Sequence, residues 1–536
     1  MRRRVMMVAA LLISSTVTYT QVADPNATTE KFATLLSYIQ HMYVDSVNAE
    51  KLTEKAIISL LEDLDPHSTY LSKEELKEAN EPLQGSFDGI GVQFNIFKDT
   101  ILVVEPIQGG PSEKLGIQSG DKIVEIDGQT VAGIGIKNPD VFKKLRGPKG
   151  TKVNVGIMRS GEKSLLHYEI IRDKIPIYSI DASYMVTPEI GYIKISRFAK
   201  TTLEELKQGL SELKAEGMKD LVLDLQGNGG GYLNTAIELC DEFISGEKLL
   251  VYTEGRSFAR EDYKANPKVN GSFEKGRLVV LIDESSASAS EILSGAIQDW
   301  DRGLIIGRRS FGKGLVQRPV PLPDGSAVRL TVQKYYTPSG RCIQKPYDDG
   351  LEAYMSDRDK RFKTGEFFSL DSLHFPDSLK FTTNVKRRTV YGGGGILPDI
   401  FVPLDTTENS GYFSDLLRTG VNNDWVMSHV NTNREAMLKT YPDLKTFLAY
   451  YTVPESAIQE MVKLMEAEKV PFSEKDYKTS EHAIKLRTKA LIARNLYDNE
   501  AFYVVINDLN PALKKAVEVL KDGTFDKQKL AHNDFK

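Results

Sequence analysis

The sequence predicts a multidomain α/β protein. Its 536 residues amount to about three or four typical domain lengths, so several hydrophobic cores are expected. Between residues 175 and 404, apolar strands alternate with amphipathic helical stretches, which is the pattern of an α/β core. Helical periodicity marks residues 21–84, short β-branched runs separated by glycines fill residues 85–174, and residues 405–536 indicate helix throughout.

The composition argues against several classes of partner. A hydrophobic share of 41% and a charged share of 27% are ordinary for a globular protein. The net charge is −5, with acidic and basic residues interspersed, so neither nucleic acid nor an anionic membrane surface is expected as a partner. Two cysteines and the absence of an H-E-x-x-H motif give no metal site, and we predict no cofactor.

The N-terminus indicates export. Arg2, Arg3 and Arg4 precede an uncharged stretch whose strongly apolar part, Val5 to Ile13, is short. This pattern is typical of a secretory signal, and we predict a signal peptide over residues 1–20 and no membrane span after its cleavage. An uncleaved N-terminal anchor is the alternative.

One turn is suited to present a nucleophile. Residues 278–293 predict a buried strand, a turn of small residues and an amphipathic helix. A serine at the start of that helix lies at the strand end, close to helical N–H groups that have no partner within the helix. Ser286, Ser288 and Ser290 are the candidates. The alternative is that these serines only cap the helix.

A serine nucleophile needs a base, and histidine is the usual one. No histidine lies between His167 and His374, so the predicted core offers a lysine instead. Lys313 follows the strand Leu304 to Ile306 and is flanked by glycines. Its amine must be desolvated to act as a base, and burial beside a neutral group such as Gln317 would lower its pKa. The alternative is a solvated loop lysine.

Two glycine-rich loops need separate interpretations. Residues 307–314 nearly match a phosphate-binding loop, but Gly314 replaces the hydroxyl that would hold magnesium, and prolines follow where a helix is required, so nucleotide binding is not predicted. The loop Asp224-Leu-Gln-Gly-Asn-Gly-Gly-Gly231 can turn several N–H groups toward one point and stabilise an oxyanion. A tight structural turn is its alternative.

Together these motifs resemble the C-terminal processing peptidases, also called tail-specific proteases, a family of serine proteases with a Ser-Lys dyad. Ser-Ala-Ser-Ala-Ser-Glu-Ile at residues 286–292 is similar to the family's nucleophile motif, and Phe-Gly-Lys-Gly-Leu-Val-Gln at 311–317 to its base motif. The resemblance implies Ser288 as nucleophile, Lys313 as base, Gln317 as the residue that holds the lysine amine, and Asp299 in a supporting role.

Further motifs extend the resemblance over about Tyr38 to Pro403, among them Leu-Asp-Pro-His-Ser-Thr-Tyr-Leu from Leu64 and Gly-Gly-Gly-Gly-Ile-Leu-Pro-Asp from Gly392. In the glycine loop, Gln226 stands where the family has arginine. The family mechanism implies an oxyanion hole built from the N–H of Ala289 and a glycine N–H. Two positions qualify for the glycine donor, Gly229 and Gly230.

Residues 85–174 resemble a PDZ domain. Gly89, Ile90, Gly91 and Val92 are similar to the loop of that domain that binds a peptide carboxylate, and residues 109–121 to the helix and turn that follow. Successive N–H groups can capture a terminal carboxylate while the peptide adds as a strand. The alternative is a structural β domain with no ligand.

The resemblance implies a crotonase-like α/β protease core at 175–404, with a charged insert at about 345–388, a PDZ domain, N-terminal helices and an unassigned helical C-terminal domain. It also implies an exported enzyme, periplasmic or on the outer face of the inner membrane, that cleaves unfolded or tail-exposed proteins. A homo-oligomer is left open. The alternatives are a catalytically silent PDZ scaffold that binds peptides, and a crotonase-like acyl-CoA enzyme.

Overall fold

In the computed structural model, residues 25–107, 109–159, 161–373, 375–528 and 530 are described. The predicted signal peptide, residues 1–20, lies outside them. The chain divides into two compact units at residues 64 and 65. The first unit contains helices α1 (Pro25–Met42) and α2 (Ala49–Glu62). In the described part of the chain, no helix has the length and hydropathy needed to span a membrane.

The second unit begins with strand β1 (Thr69–Leu71) and helix α3 (Lys73–Gln84). A capping box starts α3, since Ser72 and Glu75 each bond the other's backbone N–H. The prediction grouped these residues with the N-terminal helices over 21–84, but residues 65–84 belong to the second unit. Strand β1 has only three residues, which are too few to show the alternating pattern by which a strand is predicted from sequence.

A small β domain follows. Its elements are β2 (Ser86–Gly89), β3 (Val92–Ile96), β4 (Ile101–Pro106), α4 (Pro111–Lys114), β5 (Lys122–Ile126), β6 (Gln129–Thr130), α5 (Asn138–Leu145), β7 (Lys152–Met158), β8 (Leu166–Ile171) and β9 (Asp173–Pro176). The main sheet has the order β3-β4-β5-β7-β8, and β6 pairs with β5. Strands β2 and β9 pair antiparallel where the chain enters and leaves the domain.

The α/β core comes next. Its elements are β10 (Ile180–Met185), β11 (Ile190–Ile195), α6 (Thr202–Ala215), β12 (Asp220–Asp224), α7 (Leu233–Asp241), β13 (Leu249–Gly255), β14 (Phe258–Lys264), β15 (Leu278–Ile282), α8 (Ala289–Asp299), β16 (Leu304–Gly307), β17 (Leu315–Pro321), β18 (Ala327–Tyr336), α9 (Leu351–Met355), α10 (Asp357–Lys363), β19 (Lys380–Thr382), β20 (Thr389–Tyr391) and β21 (Ile400–Phe401).

Two sheets build this core. The first has the order β10-β11-β12-β15-β16-β21, and its strands run parallel from β11 to β21. The second is antiparallel. Its strands follow the order β1-β18-β13-β14, and the long strand β18 also pairs with β17. Strand β1 is therefore part of the protease core. The predicted charged insert forms α9, α10 and the hairpin β19–β20, and it buries Tyr354 and Arg361.

The remaining helices are α11 (Gly411–Thr419), α12 (Val421–Thr440), α13 (Leu444–Tyr450), α14 (Glu455–Ala467), α15 (Glu474–Leu496), α16 (Asn499–Ile506), α17 (Pro511–Lys521) and α18 (Thr524–Lys527). Helices α11 to α16 share a hydrophobic core of their own, and we refer to them as the helical domain.

The last two helices do not belong to that separate core. In the parallel sheet, Leu223 and Val280 face α7 and α8, whereas Val222 and Val279 pack against Leu513 and its neighbours on α17. Both faces of a parallel sheet must be covered, and the end of the chain covers the second one. The prediction of one helical domain over 405–536 therefore differs from the structure, although the predicted fold class, a mixed α/β protease core with a PDZ domain and a helical C-terminal region, is confirmed.

Candidate active site

The turn between β15 and α8 holds Ser288 in an unusual backbone conformation. Its φ is 57° and its ψ is −113°, which is a strained region for a residue with a side chain. Ser288 is half-buried, and its hydroxyl donates no hydrogen bond within the described residues. This geometry presents a free hydroxyl directly before the first turn of a helix.

The other two candidate serines have structural roles. Ser286 and Ser290 are fully buried. The Ser286 hydroxyl donates to the Leu225 carbonyl at 2.8 Å, and the Ser290 hydroxyl donates to the Asn228 carbonyl at 2.9 Å. Both serines therefore fasten the nucleophile turn to the glycine loop, and of the three only Ser288 lines the cleft described below.

The glycine loop is anchored by hydrogen bonds to Asp224 and Gln226. Asp224 accepts hydrogen bonds from the Lys194 amine at 3.1 Å and the Gln226 N–H at 2.7 Å. The Gln226 side chain in turn accepts from the Asn510 amide at 2.9 Å, at the start of α17. The substitution at position 226 is thus accommodated by the helix that covers the core sheet.

The loop approaches Ser288 through Gly230. A Cβ atom on Gly230 would lie 2.8 Å from the Ser288 Cβ, and its φ is 102°, so the position requires glycine. Its N–H donates to Oδ1 of Asn228 at 2.8 Å and is already occupied. The N–H groups of Ala289 and Gly229 have no acceptor among the described residues, which leaves both available to a ligand.

Lys313 is oriented by a chain of neutral groups. Its Nζ donates to Oε1 of Gln317 at 3.0 Å, and Nε2 of Gln317 donates to the His67 carbonyl. His67, two residues before β1, thus fixes the amide of Gln317, which fixes the lysine amine. Neutral partners of this kind add no charge that would hold the amine protonated.

The electrostatic environment of Lys313 favours its neutral form. Burial lowers the pKa of the Lys313 amine, and the positive charge of Arg329 lowers it further, whereas the carboxylates of Glu291 and Asp65 raise it. The net pKa is below the ordinary value. The amine is therefore a better base at neutral pH than a solvated lysine.

A buried carboxylate joins the nucleophile turn to the base loop, and sequence reasoning did not single it out. Glu291 is fully buried and accepts from the N–H groups of Ser288 at 2.8 Å, Gly312 at 2.7 Å and Lys313 at 2.9 Å, and from the Ser310 hydroxyl. Burial raises the pKa of Glu291, while these four donors favour its ionised form. The Ser-x-x-Glu spacing of a capping box was the available signal.

Tyr335 adds a second link between the two segments. Its buried hydroxyl lies within hydrogen-bonding distance of the backbone carbonyl of Ser288, at 3.1 Å, and of the carbonyl of Lys313. Glu291 thus holds the N–H groups of Ser288 and Lys313, and Tyr335 holds their carbonyls. The relative position of Ser288 and Lys313 is fixed through their backbones.

His67 also comes close to the base. Burial and the positive charge of Lys313 lower the pKa of His67 to about 4, so its imidazole is neutral and weakly basic. Its Nε2 is hydrogen-bonded to the Tyr354 hydroxyl at 2.7 Å. A histidine from outside residues 167–374 does reach the site, but its contacts and low pKa give it a positioning role.

A cleft of about 400 Å³ brings the predicted catalytic residues together. Ser288, Lys313 and Gln317 line it, and so do Ala289, Gly229 and Gly230. Its remaining walls include Leu76, Asn80 and Leu83 of α3, together with Arg329. Glycines and apolar side chains both contribute to the lining of the cleft.

Asp299 lies outside the residues that line the cleft. It forms a fully buried ion pair with Arg341 at 2.7 Å and accepts from the Ser339 N–H at 2.9 Å. These contacts hold the end of α8 against the loop that follows β18. A supporting role fits this placement.

The predicted carboxylate-binding loop lies in the PDZ domain, away from the cleft lining. Gly91 has a φ of 75°, and the Ile90 carbonyl accepts from the N–H and hydroxyl of Ser112, at 3.1 and 2.6 Å. In the described chain, the N–H groups of Ile90 and Gly91 have no acceptor. Gly89 pairs with Asp173 in the β2–β9 ladder and Val92 pairs with Pro106 in the β3–β4 ladder, so both ends of the loop belong to strands.

The fold and this site define a serine peptidase whose core carries a PDZ domain. Residues 189–352 match the peptidase family S41, residues 89–170 match the PDZ domain, and residues 412–498 match a family of unknown function. The carboxy-terminal processing protease CtpB of Bacillus subtilis is 33% identical over 398 residues, which cover 73% of this chain and 79% of that protein. The chain belongs to the carboxy-terminal processing protease family.

A second curated relative agrees with this family. The carboxy-terminal-processing protease of Bartonella bacilliformis is 36% identical over 332 residues, which cover 61% of this chain and 73% of that protein. Among solved structures, the photosystem II D1 C-terminal processing protease is 31% identical with a TM-score of 0.33, over 58% of this chain and 83% of that one. The resemblance stated from the motifs and the prediction of a serine-type peptidase are confirmed.

Arg329 provides a test of how the base is tuned. Replacing it by glutamine removes a positive charge that lowers the pKa of Lys313, so that pKa should rise. A base must be deprotonated, so the ascending limb of kcat/KM against pH should move to higher pH. At pH 7 we expect roughly a two- to tenfold loss that disappears at alkaline pH, since one pKa unit is a tenfold change in neutral amine. Cleavage of an unfolded protein measured across pH checks this.

Arg329→Lys is the matched control, because it keeps the charge. If the ascending limb of kcat/KM against pH is at the same pH in Arg329→Gln as in the wild type, Arg329 does not lower the pKa of Lys313. A loss that persists equally at every pH would instead indicate a substrate contact.

Proposed function

We propose that the protein is an exported serine endopeptidase in which Ser288 is the nucleophile and Lys313 the general base, and that it acts on proteins recognised by their C-terminal tails. One observation carries the catalytic part. The Ser288 hydroxyl and the Lys313 amine line one cleft, while the Glu291 carboxylate bonds the N–H groups of both residues. Export rests on Arg2 to Arg4 and the short apolar stretch that follows.

The first step forms an acyl-enzyme. Neutral Lys313 accepts the proton of Ser288 as the serine oxygen attacks the peptide carbonyl carbon, and the carbonyl becomes an oxyanion. The N–H groups of Ala289 and Gly229 donate to that oxyanion, since Gly230 already donates to Asn228. The N–H of Ala289 also lies at the positive end of the α8 dipole.

The second step releases the products. The ammonium of Lys313 returns its proton to the leaving amine as the peptide C–N bond breaks, which leaves an ester on Ser288. Water then attacks this ester, again with Lys313 as base, and restores the serine hydroxyl. Gln317 keeps the lysine amine in place through both steps, because its own amide is fixed by the His67 carbonyl.

Substitutions of the two residues test this proposal. Ser288→Ala and Lys313→Ala should each lower cleavage of an unfolded protein by about a thousandfold or more. Lys313→Arg should fail as well, because arginine stays charged and cannot accept a proton. Lys334→Ala changes an exposed lysine of β18 and should keep full activity.

Circular dichroism must show that each variant is folded, since loss of the buried amine leaves Gln317 with an unpaired acceptor. A folded Lys313→Ala enzyme with near-wild-type proteolysis would contradict the dyad. It would direct attention to His67, whose ring also lies near the cleft.

An ion pair connects the PDZ domain to the cleft. Arg146, at the end of α5, pairs with Glu81 on α3, and its guanidinium also stacks on Phe87 and Phe142. The same helix contributes Leu76, Asn80 and Leu83 to the cleft wall. A tail bound beside α5 can therefore act on the catalytic cleft through Arg146 and α3, which supports tail-dependent activity.

Breaking this pair tests the coupling. For the wild type we expect a peptide with a free C-terminal carboxylate to be cleaved faster than the same peptide with a C-terminal amide. In Arg146→Gln the ratio of the two kcat/KM values should fall by at least about threefold, while Lys143→Gln on the exposed side of α5 should leave it unchanged. A ratio that Arg146→Gln does not alter would mean that the PDZ domain is not coupled through this contact.

A further inference from the structure

Strand β3 is an edge of the PDZ sheet that a peptide can extend. Among the described strands, β3 lies at the end of the sheet and pairs only with β4. Helix α5 runs beside it, and the rings of Phe94 and Phe142 meet at 5.6 Å across the gap. An extended chain can add to such an edge through main-chain hydrogen bonds. The space between β3 and α5 is therefore the groove for a tail.

The direction of the tail follows from the position of the loop. The loop leads into β3 at Val92, the first residue of that strand, so a tail whose carboxylate binds at the loop must run antiparallel to the strand. Its upstream residues then pass Asn95 and Ile96 at the far end of β3. Strand β3 has five residues, so at about 3.3 Å per residue only the last five or so residues of a tail can pair with it.

The helical domain stands at this far end. A cavity of about 560 Å³ is lined by Asn95, Ile96 and Lys137 of the PDZ domain and by Asn423, Asp424 and Arg494 of the helical domain. The Asn95 amide contacts the Met427 sulfur at 2.8 Å. The PDZ groove therefore opens into a space whose second wall is α12 and α15.

A second cavity continues from the first. It has a volume of about 810 Å³ and shares Ile96 and Asp424 with its neighbour. Phe97 and Trp425 line it, and the Trp425 ring stacks on His429 with centroids 4.6 Å apart. Polar and charged side chains predominate in the lining of both cavities, and the second also contains Phe97 and the largely buried Trp425.

The two domains are also packed together beside these cavities. Asn431 of α12 lies against Gly120, where a Cβ atom would be 2.5 Å from the Asn431 side chain. Glu105 of β4 interacts electrostatically with Arg434 of α12 and Arg494 of α15. The wall provided by the helical domain is thus held in place before any tail binds.

We propose that the helical domain forms the outer part of the tail-binding site, and that the enzyme reads a tail of about ten residues, beyond the five or so that pair with β3. The inference rests on the proposed tail recognition by the PDZ domain. The tail is extended, carries polar residues about six and seven positions from its end, where it passes Asn423 and Asp424, and carries an apolar or aromatic residue beyond them, where it meets Phe97 and Trp425.

Binding of tail peptides to the full-length Ser288→Ala protein tests the proposal. Decapeptides are selected from a library with ten random residues and a free C-terminal carboxylate, and each selected peptide is remade as its last four residues and as its amide. We expect the decapeptide to bind at least about tenfold more tightly than its tetrapeptide. We also expect selected peptides to share the polar and apolar positions given above.

A substitution that fills the first cavity makes the test specific. Asn423 is exposed and its side chain lines the cavity, so Asn423→Trp should remove the tenfold advantage of the decapeptide and leave tetrapeptide affinity unchanged. Glu435→Trp, at an exposed position of the same helix outside both cavities, should keep the advantage.

The outcomes separate the two proposals. Suppose that amidation weakens binding but the decapeptide and tetrapeptide bind equally, or that Asn423→Trp behaves like Glu435→Trp. Either result would contradict the role of the helical domain in tail binding and would leave recognition by the PDZ domain intact. If no peptide is selected, or if amidation has no effect on binding, the proposed tail recognition is wrong, and so is the proposed role of the helical domain.

Discussion

The catalytic arrangement depends on a single buried carboxylate. Glu291 bonds the N–H groups of Ser288 and Lys313, which are 25 residues apart in the sequence, and also the base loop at Gly312. An ionised carboxylate in a water-free site is costly unless several donors satisfy it. Here the donors come from the segments that carry Ser288 and Lys313, so burying the charge also aligns these two residues.

The sheet topology makes this arrangement possible. Strands β12, β15 and β16 are neighbours and parallel, with Asp224 beside Leu281 and Ile282 beside Gly307. The carboxyl ends of parallel strands meet at one edge, so the glycine loop, the nucleophile turn and the base loop all emerge there. The loop before β1 adds the His67 carbonyl from the second sheet. Four segments that are distant in the sequence, namely the glycine loop, the turn before α8, the loop after β16 and the loop before β1, thus meet at one cleft.

The sequence predicted the parts that depend on local pattern. Strand and helix alternation indicated the core, and the motifs around Ser288 and Lys313 led to the family, which the comparisons confirm. It could not predict features that depend on distant contacts. Strand β1 pairs with β18, which lies more than 250 residues later in the sequence. Val222 and Leu223 point to opposite faces of the sheet, and the sequence does not show that α17 covers the face of Val222. Glu291 was missed because a charged residue in a helix normally indicates the solvated face.

The most direct test of this account is the pH profile of Glu291→Gln. The amide keeps the shape of the side chain but has one acceptor oxygen where the carboxylate has two, so it cannot satisfy both loops. Loss of the negative charge removes an interaction that raises the pKa of Lys313, so the ascending limb should not move to higher pH. The account predicts a plateau of kcat lowered by about a hundredfold or more at every pH, in a folded protein that binds tail peptides as before. A plateau within a few fold of the wild type would contradict it.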